Sequence, residues 1–196
     1  KIGEKGVIPQ KEKTTYAIVP HVPCGIITPE LLRKIADVSE KYNAITLKLT
    51  SAARIAIVGV DGENIDQIWN ELEMSPGKAV GKCVRSIKAC PGNSFCKLGF
   101  QDALSVGMKL DEKYHGFELP NKTKIGVSGC NNQCAENCIK DISLVGRKKG
   151  WTLMAGGIGT GKPRLADIIA EDLDTEEAYR MIENVFEYYK THGKNT

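Results

Sequence analysis

Hydrophobic positions change period several times along the chain. Tyr16–Pro20 is a short apolar run and predicts a strand. Thr28-Pro29 then opens a helix, with Thr28 as N-cap and Pro29 at the first helical position. Leu31, Leu32, Ile35 and Val38 follow at helical spacing. Ile45, Leu47 and Leu49 alternate, as do Ile55, Ile57 and Gly59, which predicts two strands around a turn at Ser51–Ala53. A second helix carries Ile65, Ile68, Trp69 and Leu72 on one face. Strand, helix, strand, strand, helix is a ferredoxin-like split unit that lacks its last strand, and Val80–Val84 is the candidate for it.

Ser75-Pro76-Gly77 marks a boundary. Beyond it the pattern predicts a helix near Phe95–Leu110 and strands at Lys124–Val127, Ile142–Val145 and Trp151–Met154. A terminal helix runs from about Thr175 to Lys190, with Asp174 as N-cap. Residues 1–14 read as a polar tail, 15–77 as the ferredoxin-like unit, and 78–196 as an α/β domain with a C-terminal helix, giving an α+β chain. There is no internal repeat. The cysteines of the second part fall on connections, where function concentrates.

Composition narrows the class. Of 196 residues, 41% are hydrophobic and 26% charged, a soluble globular balance rather than a disordered one. No apolar run reaches the roughly 20 residues that span a bilayer, and no secretory pattern opens the chain, so a cytoplasmic protein is expected. The net charge of +3 conceals an asymmetry: residues 78–164 hold fifteen Lys/Arg against six Asp/Glu, whereas the flanks hold twelve against eighteen. A basic middle predicts an anionic ligand there. Nucleic acid also fits that charge, but the segment has almost no interleaved aromatics and no nucleic-acid motif. Seven cysteines, an odd number in a chain read as intracellular, argue against a disulfide framework and for thiolate–metal or catalytic use.

Cys90-Pro-Gly-Asn-Ser-Phe-Cys96 and Cys130-Asn-Asn-Gln-Cys134 place two short-spaced pairs on separate loops. Such pairs can supply the four thiolates of a [4Fe-4S] cube from different directions. Buried structural thiols are one alternative. Zinc is another, although the five-residue gap is long for it. A redox thiol pair is the third, but it usually reads C-x-x-C, which is absent. The spacing favours a cluster among the four. Gly156-Gly-Ile-Gly-Thr-Gly-Lys162-Pro163 nearly spells a phosphate-binding loop, but Pro163 stands where Ser or Thr must hold magnesium and removes a needed N–H. Cys24, Cys83 and Cys138 read as structural thiols, and His21, His115 and His192 show no metal spacing.

Cys90–Cys96 followed by Lys97-Leu-Gly-Phe, Ser128-Gly-Cys-Asn-Asn-Gln-Cys134, and Asp141-Ile-Ser-Leu-Val-Gly146 together resemble the siroheme-dependent nitrite/sulfite reductases, over about Thr15 to Ala170. The resemblance is to a single module without the duplicated second half of larger members. It implies a ferredoxin-like half domain followed by a [4Fe-4S]/siroheme domain. It implies that Cys90, Cys96, Cys130 and Cys134 ligate the cluster, with Cys134 also bridging to the siroheme iron. Asn131 departs from the family's usual Pro after the third cysteine.

For the siroheme carboxylates, the candidates within the basic middle are Arg147, Lys162 and Arg164, with Lys148, Lys149 and Lys97 behind them. Lys122, Lys124 and Arg85 match family residues that line the substrate site, where cations bind an anion and aid its protonation. The family's Thr-x-Arg-Gln is replaced here by Thr50-Ser51-Ala52-Ala53, and Arg54, two residues later, is the candidate substitute. In duplicated members the substrate cations come from the half opposite the active cluster. A single module therefore predicts a homodimer in which Arg85, Lys122 and Lys124 of one chain face the siroheme of the other. The implied activity is reduction of a small oxyanion, sulfite to sulfide first, with nitrite to ammonia or non-catalytic electron transfer as alternatives. Electrons come from an external donor such as a ferredoxin.

Overall fold

Two sheets organise residues 5–194, the part of the chain that this computed structural model describes, and they lie in two units that divide between Gly81 and Lys82. The first unit comprises β1 (Val7–Pro9), β2 (Thr15–Ile18), α1 (Pro29–Lys41), β3 (Thr46–Leu49), β4 (Ile55–Asp61) and α2 (Ile65–Leu72). The strands form an antiparallel sheet of order β1-β2-β4-β3. Thr28 Oγ1 accepts from the N–H of Leu31 at 3.2 Å and caps α1, as its sequence predicts. Ile35 and Val38 of α1 and Ile68 and Leu72 of α2 close the core over Ile18, Ile55, Ile57 and Val60.

The N-terminal segment and Val80–Val84 both depart from expectation. Val7–Pro9 is not part of a polar tail but an edge strand, because Val7 buries its side chain in this core; residues 1–4 of that expected tail lie outside the described residues. Val80–Val84 does not complete the sheet either. Val84 instead begins β5 (Val84–Ala89), which pairs in the second unit. The other edge, β3, stays exposed, with Leu49 at 74%, and so does Ile45 just before it at 75%.

The second unit contains β5, α3 (Gly92–Phe95), α4 (Ala103–Tyr114), β6 (Thr123–Ser128), β7 (Ile142–Arg147), β8 (Gly150–Ala155), β9 (Asp167–Leu173) and α5 (Thr175–His192). The sheet order is β5-β6-β7-β8-β9; the first three strands run parallel and the last two antiparallel. Strand register assigns the faces. Ile87, Ile125, Val127, Leu144 and Leu153 share one face, and all are buried. Ser86, Lys88, Lys124, Gly126, Ser128 and Ser143 share the other, which is small, polar and basic over β5 and β6 and turns apolar at Val145 and Met154. Phe186 of α5 packs edge-on against Tyr114 of α4, ring centroids 4.8 Å apart, and Phe117 closes the group. Asp174 and Glu177 form the reciprocal capping box that starts α5.

The helix expected over Phe95–Leu110 begins only at Ala103, and the short α3 before it ends at Phe95. Between them the N–H groups of Phe100 and Gln101 turn to the carbonyl of Gly129, and Asp102 caps α4 through the N–H of Ser105. Strand β9 has no counterpart in the hydrophobic pattern, since Ile168 and Ile169 are adjacent and two register shifts interrupt its pairing with β8.

Phe186→Ala should destabilise the second unit by about 3–5 kcal/mol, and Asp174→Ala by about 1 kcal/mol. Chemical denaturation followed by circular dichroism ranks the two. A smaller loss for Phe186 than for Asp174 contradicts this account of the core.

Candidate metal-cluster site

Parallel pairing sets Ala89 at the end of β5 beside Val127 near the end of β6, so both strands release their loops at the same level. That is the carboxyl edge where open α/β sheets take their ligands. The N–H of Cys90 donates to the carbonyl of Val127 at 3.0 Å, and the N–H of Gly129 donates to Cys90 Sγ at 3.2 Å. The carbonyl of Gly129 in turn accepts from Phe100 at 2.7 Å and from Gln101 at 3.2 Å, beyond Cys96. The two cysteine loops are thus tied to each other by main-chain hydrogen bonds. Their contact is too close for side chains. A Cβ on Gly129 would stand 2.6 Å from the carbonyl of Gln101 and 2.8 Å from Cα of Gly92, and the first loop folds as closely on itself where Gly99 meets the nitrogen of Asn93.

After Cys130 the chain doubles back, with Gln133 and Glu136 in the left-handed region at φ 50° and 61°. Asn137, fully buried, anchors the chain on leaving this turn. Its Nδ2 donates to the carbonyls of Gly126 and Leu144, and its Oδ1 accepts from Ser128 Oγ. Its own carbonyl accepts from Ser143 Oγ. This residue gave no sequence signal, because every partner lies on another element.

Cys130 is buried, Cys90 and Cys96 are half-buried, Cys134 is exposed, and all seven cysteines are free thiols. Among the described residues no three or more His, Cys, Asp or Glu side chains converge on one metal ion. A cube that takes one thiolate at each of four irons needs no such convergence. The donor set is all sulfur, and the glycine contacts let the loops approach a bulky group closely. Gln133 Oε1 is buried between Cys130 and Cys134 without a partner, as at a site that receives a further group. These residues fit a cluster.

Arg85, Lys122 and Lys124 gather at the amino ends of β5 and β6, opposite the cysteine loops. Burial first, then the charges of Lys140, Lys122 and Arg85, pushes the Lys124 ammonium below its usual range. Four strand steps separate Lys124 from Ser128, about 13 Å at ~3.3 Å each. Asp141 Oδ2 accepts from the N–H of Lys124 at 2.8 Å, and burial raises the Asp141 carboxyl above its ordinary value. Between the two groups lies an ion-paired trio with little trace in the sequence. Lys88 and Lys140 both bind Glu136, whose carboxyl is held down at about 2, first by the hydrogen bond from Lys140 and then by that from Lys88. The i,i+4 spacing of Glu136 and Lys140 was a visible hint, but Lys88 was not.

The remaining candidates are dispersed. Arg147 Nη1 donates to Asn131 Oδ1 and Nε to Thr152 Oγ1, beside the second cysteine loop, and the Arg147 carbonyl accepts from Gln101 Nε2. Arg164 pairs with Asp167 and donates to the carbonyl of Gly156, closing its own glycine-rich loop, on which Lys162 is exposed. Lys149 pairs with Asp172, while Lys148 and Lys97 are exposed. Gly157 packs on the carbonyls of Cys138 and Lys140. A cavity of about 300 Å³ lies between Asp141, Gly156–Ile158 and Tyr188-Tyr189. Arg54 belongs to the first unit, is 4% exposed, and closes a turn with Thr50 through both its N–H and its carbonyl.

Comparison with known proteins gives a consistent answer. Residues 80–196 match the nitrite and sulphite reductase 4Fe-4S domain, and residues 8–75 the nitrite/sulfite reductase ferredoxin-like half domain. A sulfite reductase of assimilatory type from Nitratidesulfovibrio vulgaris is 45% identical over 96% of this chain and 87% of its own. The nitrite reductase [NAD(P)H] of Bacillus subtilis is 38% identical over 90% of this chain but only 22% of its own length. The fold matches the Mycobacterium tuberculosis NirA protein at a TM-score of 0.81 and 20% identity, covering 92% of this chain and 35% of that one. Dissimilatory sulfite reductase I matches at the same TM-score and 15% identity, over 92% and 64%.

Asp141→Asn keeps an acceptor for Lys124 and removes a charge that burial disfavours. Because the folded-state value is raised, ionisation opposes folding at neutral pH and ceases to do so below the ordinary value near 3.9. Thermal melts should find the variant more stable than the parent at pH 7, with the gain shrinking as pH falls toward 4. A constant difference across that range counts against the burial account.

Proposed function

This chain belongs to the nitrite and sulphite reductase family, and from that premise we propose that it holds a [4Fe-4S] cluster on Cys90, Cys96, Cys130 and Cys134, joined to siroheme, and reduces sulfite to sulfide. The observation that carries the reading is the pair of cysteine loops leaving adjacent parallel strands, with the Gly129 N–H on Cys90 Sγ. Sulfite is put first because the relative of similar length is named a sulfite reductase. The nitrite reductases match over 89–90% of this chain yet are several times longer, which keeps nitrite to ammonia as the second reading. Ala52 and Ala53, in place of an arginine and a glutamine, favour a third reading of electron transfer without turnover.

When bound, the cofactor pair supplies single electrons and an iron at which an oxyanion is reduced. The chain's own residues do the rest. Arg85 and Lys122 attract and orient the anion. Lys124, its ammonium destabilised by burial and by neighbouring cations, releases a proton more readily than a surface lysine. Asp141 fixes the main chain of Lys124. Arg147, beside Asn131, and Lys162 and Arg164 on the glycine-rich loop are the groups to receive siroheme carboxylates.

The cations and the cysteine loops occupy opposite ends of β5 and β6. A pair of chains, each lending Arg85, Lys122 and Lys124 to the siroheme of the other, is accordingly part of the proposal. A separate protein delivers the electrons, and the reaction runs in the cytoplasm, where seven free thiols stay reduced.

Holoprotein assayed with reduced viologen should turn over sulfite with a higher kcat/KM than nitrite, and turnover of neither anion supports the third reading. Cys130→Ser should lose cluster iron by metal analysis. Lys124→Gln should keep the visible spectrum and lose on the order of 100-fold in kcat/KM. Full activity in a species that sedimentation shows to be monomeric rules out the pairing.

A further inference from the structure

We propose that Glu136 is a positioning residue for the cluster: by claiming Lys88 and Lys140 together, it braces the turn that carries Cys134 and sets the charge beside it. The inference rests on the assignment of Cys134 as a cluster ligand. Glu136 lies two residues beyond Cys134, in a left-handed conformation at φ 61° that aims the chain sharply onward. Its Oε1 takes Lys88 Nζ at 2.9 Å and its Oε2 takes Lys140 Nζ at 2.7 Å, so both oxygens are committed. Lys88 stands on β5 directly opposite Gly126 of β6. The Lys140 side chain crosses that same glycine, since a Cβ on Gly126 would come within 2.9 Å of Lys140 Cγ. One carboxylate therefore ties the segment after Cys134 to β5 through Lys88 and holds Lys140 where its side chain crosses β6.

This is not an ordinary surface pair, whose contribution is small. The Lys140 side chain is only 9% exposed, and a charge so enclosed is kept only with a partner. Gly126 lacks a side chain where Lys140 passes, so its backbone leaves room for the buried lysine. In the trio two cations share one anion, for a local charge of +1. Lys140 also acts on the cations at the amino ends: Lys124 is depressed first by burial and then by the charge of Lys140, ahead of Lys122 and Arg85.

Adding an electron to a cluster is favoured by nearby positive charge and opposed by nearby negative charge. Glu136→Gln leaves two cations uncompensated, whereas Lys88→Gln leaves one cation matched by one anion. The two substitutions break the same bond but change the local charge in opposite directions. A brace that acts by shape alone would loosen the same turn in either case and move the potential the same way.

The test is an EPR-monitored redox titration of the reconstituted holoprotein, with iron content measured on every sample. The expected result is a higher cluster potential in Glu136→Gln and a lower one in Lys88→Gln, with iron retained and with Glu136→Asp returning toward the parent value. Shifts of the same sign, or none in either variant, overturn the inference. If Glu136→Gln does not retain iron, Lys88→Gln and Lys140→Met decide it, and a potential that fails to fall in both overturns it. A parent protein without a four-iron signal refutes the ligand assignment instead, so the two failures are distinguishable.

Discussion

The site depends on the register between β5 and β6. Parallel strands paired at Ala89 and Val127 end level with one another, and only then can Cys90 donate to Val127 and Gly129 reach back to Cys90 Sγ. A slip of one residue would turn each side chain to the opposite face, exchanging Ile87 and Val127 for Lys88 and Ser128 in the core under α4. The hydrophobic core thus enforces the geometry of the cysteine loops although it touches none of their sulfurs.

The opposite face of the same sheet shows what that register permits. Gly126 and the serines there keep it shallow enough for Asn137 to sit flat against it, and Asn137 in turn fixes the turn after Cys134. Charge is then distributed along the strands. Paired groups lie near the cysteines, and cations crowd together at the amino ends. At the latter end Arg85 and Lys122 stand around Lys124, with Asp141 as the acid beside it.

Much of this was legible in the sequence, for identifiable reasons. Helical spacing located α1 and α2, and the caps at Thr28 and Asp174 marked the starts of α1 and α5, because both signals are local. The cysteine loops were legible because thiol spacing is set by the chemistry of the group held. What escaped was long-range. Val7–Pro9 looked like a tail until Val7 was seen buried in the core, and Val80–Val84 promised a strand to the wrong unit. Phe95–Leu110 looked like one helix because no local pattern records that Phe100 and Gln101 bond to Gly129. Asn137, Lys88 and Glu136 share that character: each is defined by partners on other elements.

The packing of Gly92, Gly99, Gly129 and Gly146 has a consequence for the cysteine loops. These backbones meet where no side chain fits, and Gly146 places its own missing Cβ 2.6 Å from the carbonyl of Gly129. A side chain at any one of them would force the meeting backbones apart, so the spacing of the cysteine loops is set by the glycines as much as by the cysteines.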